Sequence, residues 1–170
     1  DGFTYSEADI VIEERPEIDR WILSELNTLM KAVDNAYNDY EPTRAGRLLQ
    51  DFVTENLSNW YVRLCRRRFW KGDYALDKIS AYQTLFTCLV NISKISSPIA
   101  PFFTDKLYKD LMGATELPFE ESVHLSEFPV SDERCIDKDL EIRMQMAQNI
   151  TSMVLSLRKK EKLRVRQPLQ

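Results

Sequence analysis

PEIDRWILSELNTLMKAVDNAYNDY, residues 16–40, is the stretch of the chain that decides the fold class. Its apolar residues recur at steps of three and four, which places them along one face of an α-helix. Pro16 suits the first turn of a helix, and Glu17 and Asp19 favour its positive end. The pattern predicts a long helix whose buried face consists of Ile18, Trp21, Ile22, Leu26, Leu29, Met30, Val33, Tyr37 and Tyr40.

Four further helices are predicted from the same periodicity in the rest of the chain. They cover residues 43–69, 74–96, 101–112 and 137–160, and prolines and glycines separate them. The inward residues of the second helix are predicted to be Leu48, Leu49, Phe52, Val53, Asn56, Leu57, Trp60 and Leu64. Those of the last helix are predicted to be Leu140, Met144, Ala147, Ile150, Val154 and Leu157. Four or five long amphipathic helices around one core predict an all-α helical bundle.

The composition is typical of one soluble globular domain. The chain has 170 residues, of which 44% are apolar and 29% are charged, and this is enough for a hydrophobic core. We find neither a signal peptide nor the roughly 20 consecutive apolar residues of a membrane span. The three cysteines have no CxxC spacing, which favours reduced thiols. We expect a cytoplasmic protein with no membrane partner, and a monomer.

The residues that usually carry catalysis or hold metals are sparse in this sequence. His124 is the single histidine and has no cysteine or second histidine at metal-ligand spacing. The four glycines are scattered and cannot build a phosphate-binding loop, and no glycine-flanked serine indicates a hydrolase. We therefore predict no catalytic residue, no metal site and no cofactor in this chain.

Positive charge is concentrated in two short segments of an otherwise acidic chain. The net charge is -4, yet residues 63–71 hold five bases and no acid. Residues 158–166 hold six bases and one acid, so the two segments together carry 11 of the 23 basic residues. They are termed here the first and the second basic segment. Aromatic residues thread the first one, because the sequence over residues 57–72 is LSNWYVRLCRRRFWKG.

Aromatic rings beside arginines suit single-stranded RNA, whose unpaired bases stack on flat side chains. A regular step of 100° per residue places Arg63 and Arg67 on the apolar face of the second helix and turns Trp60 towards the core. Phe69 and Trp70, at the end of the helix, are then the candidate stacking residues. Two other interpretations remain open: cations attracted by the helix dipole, and a basic helix that docks an acidic protein.

Three stretches of the sequence resemble, in order and spacing, the helical anticodon-binding domain of class I aminoacyl-tRNA synthetases. They are PEIDRWILSELNTL (residues 16–29), LSNWYVRLCRRRFW (57–70) and SSPIAPFFTDKLY (96–108). DRWILS and NWY are similar to the valine, leucine, isoleucine and methionine enzymes alike. RRRFW and the closing LRVRQPL resemble the isoleucine enzymes of the eukaryotic, archaeal and related bacterial type.

The resemblance implies a fragment of a larger enzyme that joins isoleucine to its tRNA. It implies a lead-in from the catalytic body at residues 1–15, the anticodon-binding bundle at 16–160, and the start of a linker to a C-terminal region at 161–170. The implied partners are the anticodon stem-loop of the tRNA and the other domains of the same chain. ATP and Mg²⁺ would act in the parent enzyme, which could also hold a structural zinc elsewhere. The alternatives are the equivalent domain of a valine enzyme and a helical protein-interaction module with a basic docking helix.

The resemblance also implies which residues meet the anticodon stem-loop. In our hypothesis Phe69 or Trp70 stacks an unpaired base. Arg66 and Arg67 take phosphates or base edges, and Arg63 with Asn59 orients the site. The complete predicted set is Asn59, Arg63, Arg66, Arg67, Arg68, Phe69, Trp70 and Lys71. The second basic segment is a weaker candidate contact, equally well explained as a solvated helix end; its residues are Arg158, Lys159, Lys162, Arg164 and Arg166.

Overall fold

The computed structural model describes residue 5, residues 8–71 and residues 73–168, and within them it contains helices and no strand. The predicted all-α fold is confirmed. The chain divides into two compact units, Asp1–Ile136 and Asp137–Gln170. None of the described helices is long and apolar enough to cross a membrane. The α-helices are α1 (Glu17–Asn38), α2 (Pro42–Asp51), α3 (Arg66–Trp70), α4 (Leu76–Ser96), α5 (Pro101–Met112) and α6 (Lys138–Lys160).

Helix α1 is the central helix of the first unit. It packs against α2, α4 and the helical segment that follows α2. Trp21 and Ile22 are completely buried, as the periodicity predicts. Tyr40 departs from the prediction, because α1 ends at Asn38 and the backbone of Tyr40 turns into the left-handed region (φ 58°), leaving the residue 92% exposed. The same turn delivers Pro42 to the first position of α2.

The helix that begins as α2 continues beyond Asp51 as a π-helix, Phe52–Val62. A π-helix bonds residue i to residue i+5, so its turn is wider and each residue rotates less about the axis than in an α-helix. The spacing between buried residues accordingly widens to five from Phe52 to Leu57. The buried residues along this path are Ala45, Leu49, Phe52, Leu57, Tyr61, Cys65 and Phe69.

This change of helical phase corrects the inward face predicted for the second helix. Val53 and Leu64 belong to the predicted apolar face, but they are 36% and 55% exposed. Trp60 is only half-buried, and its neighbour Tyr61 occupies the fully buried position instead. The sequence pattern assumes a constant rotation per residue, and the π-helix breaks that assumption. The predicted core positions of Val53 and Leu64 are therefore wrong.

The connection between α5 and the end of the first unit is held by side chains rather than by a long helix. It contains two short 3-10 helices, Val123–Leu125 and Glu133–Cys135. The Asp105 carboxylate accepts hydrogen bonds from the backbone N–H of Val123 at 3.0 Å and from the hydroxyl of Ser122 at 2.7 Å. Further along, the backbone of Asp132 donates to the side-chain oxygen of Asn27 in α1 at 2.8 Å. These bonds fix the connection to the first unit.

The second unit consists of α6 and the turn that follows it. Ile150, Val154 and Leu157 are predicted to face inward, yet they are 50%, 43% and 61% exposed. The described part of this unit contains no second helix against which that face could pack. For these three residues the predicted burial is wrong.

Substitution of two leucines on this helical path tests whether the π-helix changes which residues are buried. Leu57 is 4% exposed and Leu64 is 55% exposed, although a regular helix would place both on one face. We expect Leu57→Ala to lower the free energy of unfolding by about 2–5 kcal/mol, because it leaves a cavity in the core. Leu64→Ala should change it by about 0.5 kcal/mol or less. Urea denaturation of both variants measures this, and equal losses would contradict the described phase.

Candidate nucleic-acid interface

The first basic segment lies where the π-helix gives way to α3. The helix is interrupted at Cys65 (φ -80°, ψ 1°). The five residues of α3 follow and pack against α4. Because α3 is helical, consecutive side chains point in different directions. Arg68 and Phe69 point into the first unit, whereas Arg66 and Trp70 are exposed.

Arg68 is held by two carboxylates of the first unit. Its Nη1 and Nη2 donate to the two oxygens of Asp19, at 2.6 Å and 2.8 Å, in a bidentate ion pair. Its Nε donates to Asp77 at 3.0 Å, and its Nη2 donates to the Asp77 carbonyl at 2.7 Å. The side chain of Asp19 is completely buried and that of Arg68 is 16% exposed. This ion pair disfavours the predicted contact between Arg68 and RNA, because the charge of Arg68 neutralises a buried acid.

The Asp19 carboxylate also accepts hydrogen bonds from hydroxyl groups on two other elements. It accepts hydrogen bonds from the phenol of Tyr61 in the π-helix at 2.9 Å and from Ser80 of α4 at 2.5 Å. Burial, and next the negative charge of Asp19, raises the pKa of Tyr61. Burial disfavours the charged form of Arg68, but the hydrogen bonds and charge of Asp19 outweigh it, so the pKa of Arg68 is also raised. One carboxylate thus joins α1, the π-helix, α3 and α4.

Phe69 is a core residue rather than a stacking platform. It is 6% exposed, and its ring lies 6.4 Å from the ring of Tyr61 and 5.6 Å from that of Tyr82. The hydroxyl of Tyr82 donates to the Phe69 carbonyl at 3.0 Å, which ties α3 to α4. Of the two candidates for base stacking, the structure therefore favours Trp70.

Four residues of the segment surround an open depression of about 380 Å³ on the surface: Arg66, Arg67, Trp70 and Lys71. Trp70 is 68% exposed. The guanidinium carbon of Arg66 lies 5.3 Å from the centroid of its ring, within the range of a cation–π contact. The described residues around the depression are three cations and one accessible aromatic ring, with no carboxylate among them, and they line it with their apolar atoms.

Arg63 and Asn59 lie earlier on the same helical path and do not line this depression. Both are exposed. The Asn59 amide donates to Glu55 at 3.5 Å, a long hydrogen bond. Among the described residues, Arg63 has no acidic partner. The structure leaves both side chains accessible to a ligand.

A family model for the anticodon-binding domain of tRNA ligases matches residues 19–170, which is nearly the whole chain. The chain belongs to this family of anticodon-binding domains. The exposed cations and Trp70 therefore lie in a domain whose family is named for binding tRNA anticodons.

Relatives of this anticodon-binding domain are found in bacterial isoleucine–tRNA ligases. The chain is 63% identical over all 170 residues to the enzyme of Bacteroides thetaiotaomicron. It is 56% identical over 169 residues to that of Cytophaga hutchinsonii, and 39% identical over 157 residues, 92% of the chain, to that of Thermus thermophilus. In each comparison the chain spans about 15% of the length of the relative.

The second basic segment of the anticodon-binding domain ends α6. Arg158 turns back on the chain, and its Nη1 donates to the carbonyls of Arg164 at 2.8 Å and Gln167 at 2.9 Å. Lys162 adopts a left-handed backbone (φ 54°) that stops the helix. Arg158 is thus occupied as a cap of the helix end. The exposed cations of the segment are Lys159, Lys160, Lys162, Arg164 and Arg166.

Asp19 is the residue of this site whose role sequence reasoning missed. Its position next to a predicted helix start favours the interpretation of a charge that meets the helix dipole. A second signal is present, because a 100° step places Asp19 on the same apolar face as Leu26 and Tyr37. An acid on a buried face needs a cation nearby. Arg68, 49 residues away, provides it.

Arg67 and Arg68 are neighbours in α3, and replacing each of them tests whether Arg68 is structural and Arg67 is not. We expect Arg68→Ala to lower the free energy of unfolding by about 3–5 kcal/mol, because it leaves the buried Asp19 charge without its cation. The matched variant Arg67→Ala removes an exposed arginine and should change stability by about 0.5 kcal/mol or less. Thermal or urea unfolding measures both. A similar loss in the two variants would refute the division between a structural and an exposed arginine.

Proposed function

We propose that this chain is the anticodon-binding part of an isoleucine–tRNA ligase and that it grips the anticodon stem-loop of isoleucine tRNA. The observation that carries the proposal is the cluster of exposed cations around Trp70, which faces solvent with no carboxylate in its described lining. Membership of the anticodon-binding family supports the type of ligand. The relatives named above support isoleucine rather than valine as the amino acid of the parent enzyme.

The exposed residues divide the work of RNA recognition by their chemistry. Arg66, Arg67 and Lys71 neutralise phosphates of the loop, and Arg63 extends the cationic surface along the helix. The planar guanidinium binds phosphate oxygens or base edges through paired hydrogen bonds. Asn59 has an amide that both donates and accepts, which suits the edge of a base. Asn59 can reach a ligand because its hydrogen bond to Glu55 is long and exposed.

The chain contributes binding and placement to the reaction of the parent enzyme. Binding of the anticodon arm fixes the orientation of the tRNA relative to the catalytic body. The acceptor end of the tRNA is thereby held close to the catalytic site, which lowers the entropic cost of the reaction. ATP with Mg²⁺ activates the amino acid in that body. The second basic segment offers a further contact through Lys159, Lys162, Arg164 and Arg166, a role that its exposure permits.

Salt-dependent binding tests the proposed function directly. We expect the chain to bind isoleucine tRNA more tightly than the same tRNA with a scrambled anticodon loop, and log affinity to fall linearly with log salt concentration. Each phosphate contact on single-stranded RNA contributes about 0.7 to that slope, so Arg67→Ala should flatten it by about 0.7. Fluorescence anisotropy at several salt concentrations measures the slope.

The matched control is Arg44→Ala, because Arg44 is an exposed arginine of α2 paired with Glu41 and lies outside the first basic segment. It should leave the slope unchanged. Equal affinity for intact and scrambled loops would reject anticodon reading, and an unchanged slope in Arg67→Ala would reject the assigned surface. Tighter binding to valine tRNA than to isoleucine tRNA would favour the valine enzyme instead.

A further inference from the structure

Residues 8–15 precede α1, and a buried side chain of α4 binds their backbone. The amide of Gln83 accepts a hydrogen bond from the N–H of Ile10 at 3.1 Å and donates one to the carbonyl of Ala8 at 3.1 Å. Gln83 is completely buried. A side-chain amide that both accepts from and donates to one short backbone segment pairs with it much as a neighbouring strand does. Residues 8–15 are termed here the strap.

Arg15 closes the strap against the same turn of α4. Its Nη1 donates to the hydroxyl of Thr84 at 2.7 Å, and its Nη2 donates to the side-chain oxygen of Gln83 at 3.4 Å. Its Nε donates to the carbonyl of Ile10 at 2.9 Å, across the short 3-10 helix Ile12–Glu14. Arg15 itself is buried. Because buried hydrogen bonds are costly to leave unmade, the strap is held in one place before α1 begins.

Tyr5 adds a contact on the N-terminal side of the strap. Its ring lies 4.7 Å from the ring of Phe86 in α4, measured between centroids. Its hydroxyl donates to the carboxylate of Asp9 in the strap at 2.7 Å. The chain that leads into the strap is therefore also directed along α4.

The strap and the first basic segment are anchored to consecutive turns of α4. Ser80 donates to Asp19, the acid that holds Arg68. Gln83 and Thr84, three and four residues later, hold the strap. Residues at this spacing lie on the same face of a helix, and a rise of 1.5 Å per residue separates the two anchors by about 5 Å along the axis. One helical turn thus connects the strap to the element that orients the basic segment.

We propose that the strap fixes the direction in which the preceding polypeptide leaves the first unit, with Gln83 and Arg15 as the positioning residues. The family model matches from residue 19 onwards, so the strap lies outside the matched residues and family membership does not assign this contact. The proposal rests on the proposed function, under which the catalytic body precedes the strap. A docked strap prevents that body from swivelling about Pro16, where α1 begins, and keeps the first basic segment in one orientation relative to it.

The first arm of the test measures hydrogen exchange of the Ile10 amide in this chain by nuclear magnetic resonance. Gln83→Leu removes the acceptor of that amide, so its exchange should become about 10-fold faster or more. The amide of Val33, which is fully buried in α1, should keep its rate. The matched control Gln50→Leu replaces an exposed glutamine of α2 and should change neither amide.

Two results of this arm would overturn the proposal. Unchanged exchange of Ile10 in Gln83→Leu would show that the strap is not docked through this side chain. Equal acceleration of Ile10 and Val33 would show that Gln83 only stabilises the fold as a whole.

The second arm uses the full-length ligase that contains this chain and separates positioning from stability. In Gln83→Leu, kcat/KM for charging isoleucine tRNA should fall by about 10- to 100-fold, because a displacement of about 1 Å can cost that much. Exchange of pyrophosphate into ATP with isoleucine, assayed without tRNA, should keep its rate. Thr84→Val removes the hydroxyl that Arg15 binds and should also lower charging. Thr84→Ser retains that hydroxyl and should restore it.

The outcomes separate the strap from the proposed function. Normal charging in Gln83→Leu, or an equal loss of charging and of pyrophosphate exchange, would overturn the positioning role. Binding of the anticodon stem-loop by this chain would then still support the proposed function. If the full-length protein charges no isoleucine tRNA, the proposed function fails, while faster exchange of Ile10 alone in Gln83→Leu still supports the docked strap.

Discussion

The buried Asp19 carboxylate is the constraint on which the functional surface depends. A buried charge is costly unless it is paired and hydrogen-bonded, so the fold must bring a cation to it. Arg68 meets it through two hydrogen bonds, and Tyr61 and Ser80 supply two more. Since Arg68 and Phe69 point inward, helical geometry turns Arg66, Arg67 and Trp70 outward. The exposure of the cations around Trp70 is thus a consequence of satisfying one acid in the core.

The π-helix makes this arrangement possible. In a regular α-helix the apolar pattern would bury Trp60 and Leu64 and leave Tyr61 beside the core rather than in it. The wider turn shifts the phase, so Tyr61 becomes fully buried and its hydroxyl reaches Asp19. It also carries the buried face on through Cys65 to Phe69. π-Helical segments are frequent at functional sites, and here the segment orients the helix end that bears the cations.

The charge distribution suits a protein that must bind RNA at a chosen place. The chain is acidic overall, with a net charge of -4, so most of its surface disfavours a polyanion. The first basic segment carries five bases in sequence, but Asp19 and Asp77 pair with one of them. The other four cations of the segment take no part in this ion pair. For RNA bound as proposed, repulsion elsewhere and attraction at this segment would together favour a single register.

The sequence by itself determined the all-α class, the long helix α1, the place of the basic and aromatic residues, and the resemblance to the anticodon-binding family. These features depend on local periodicity and on residue types that neighbouring positions share. Only the tertiary structure decided which residues of RRRFW are exposed to solvent. That choice depends on the phase of the π-helix and on an ion pair between residues 49 positions apart, and a pattern of local spacing contains neither. It is for this physical reason that Phe69 is buried, Arg68 is paired with the buried Asp19, and Trp70 is exposed.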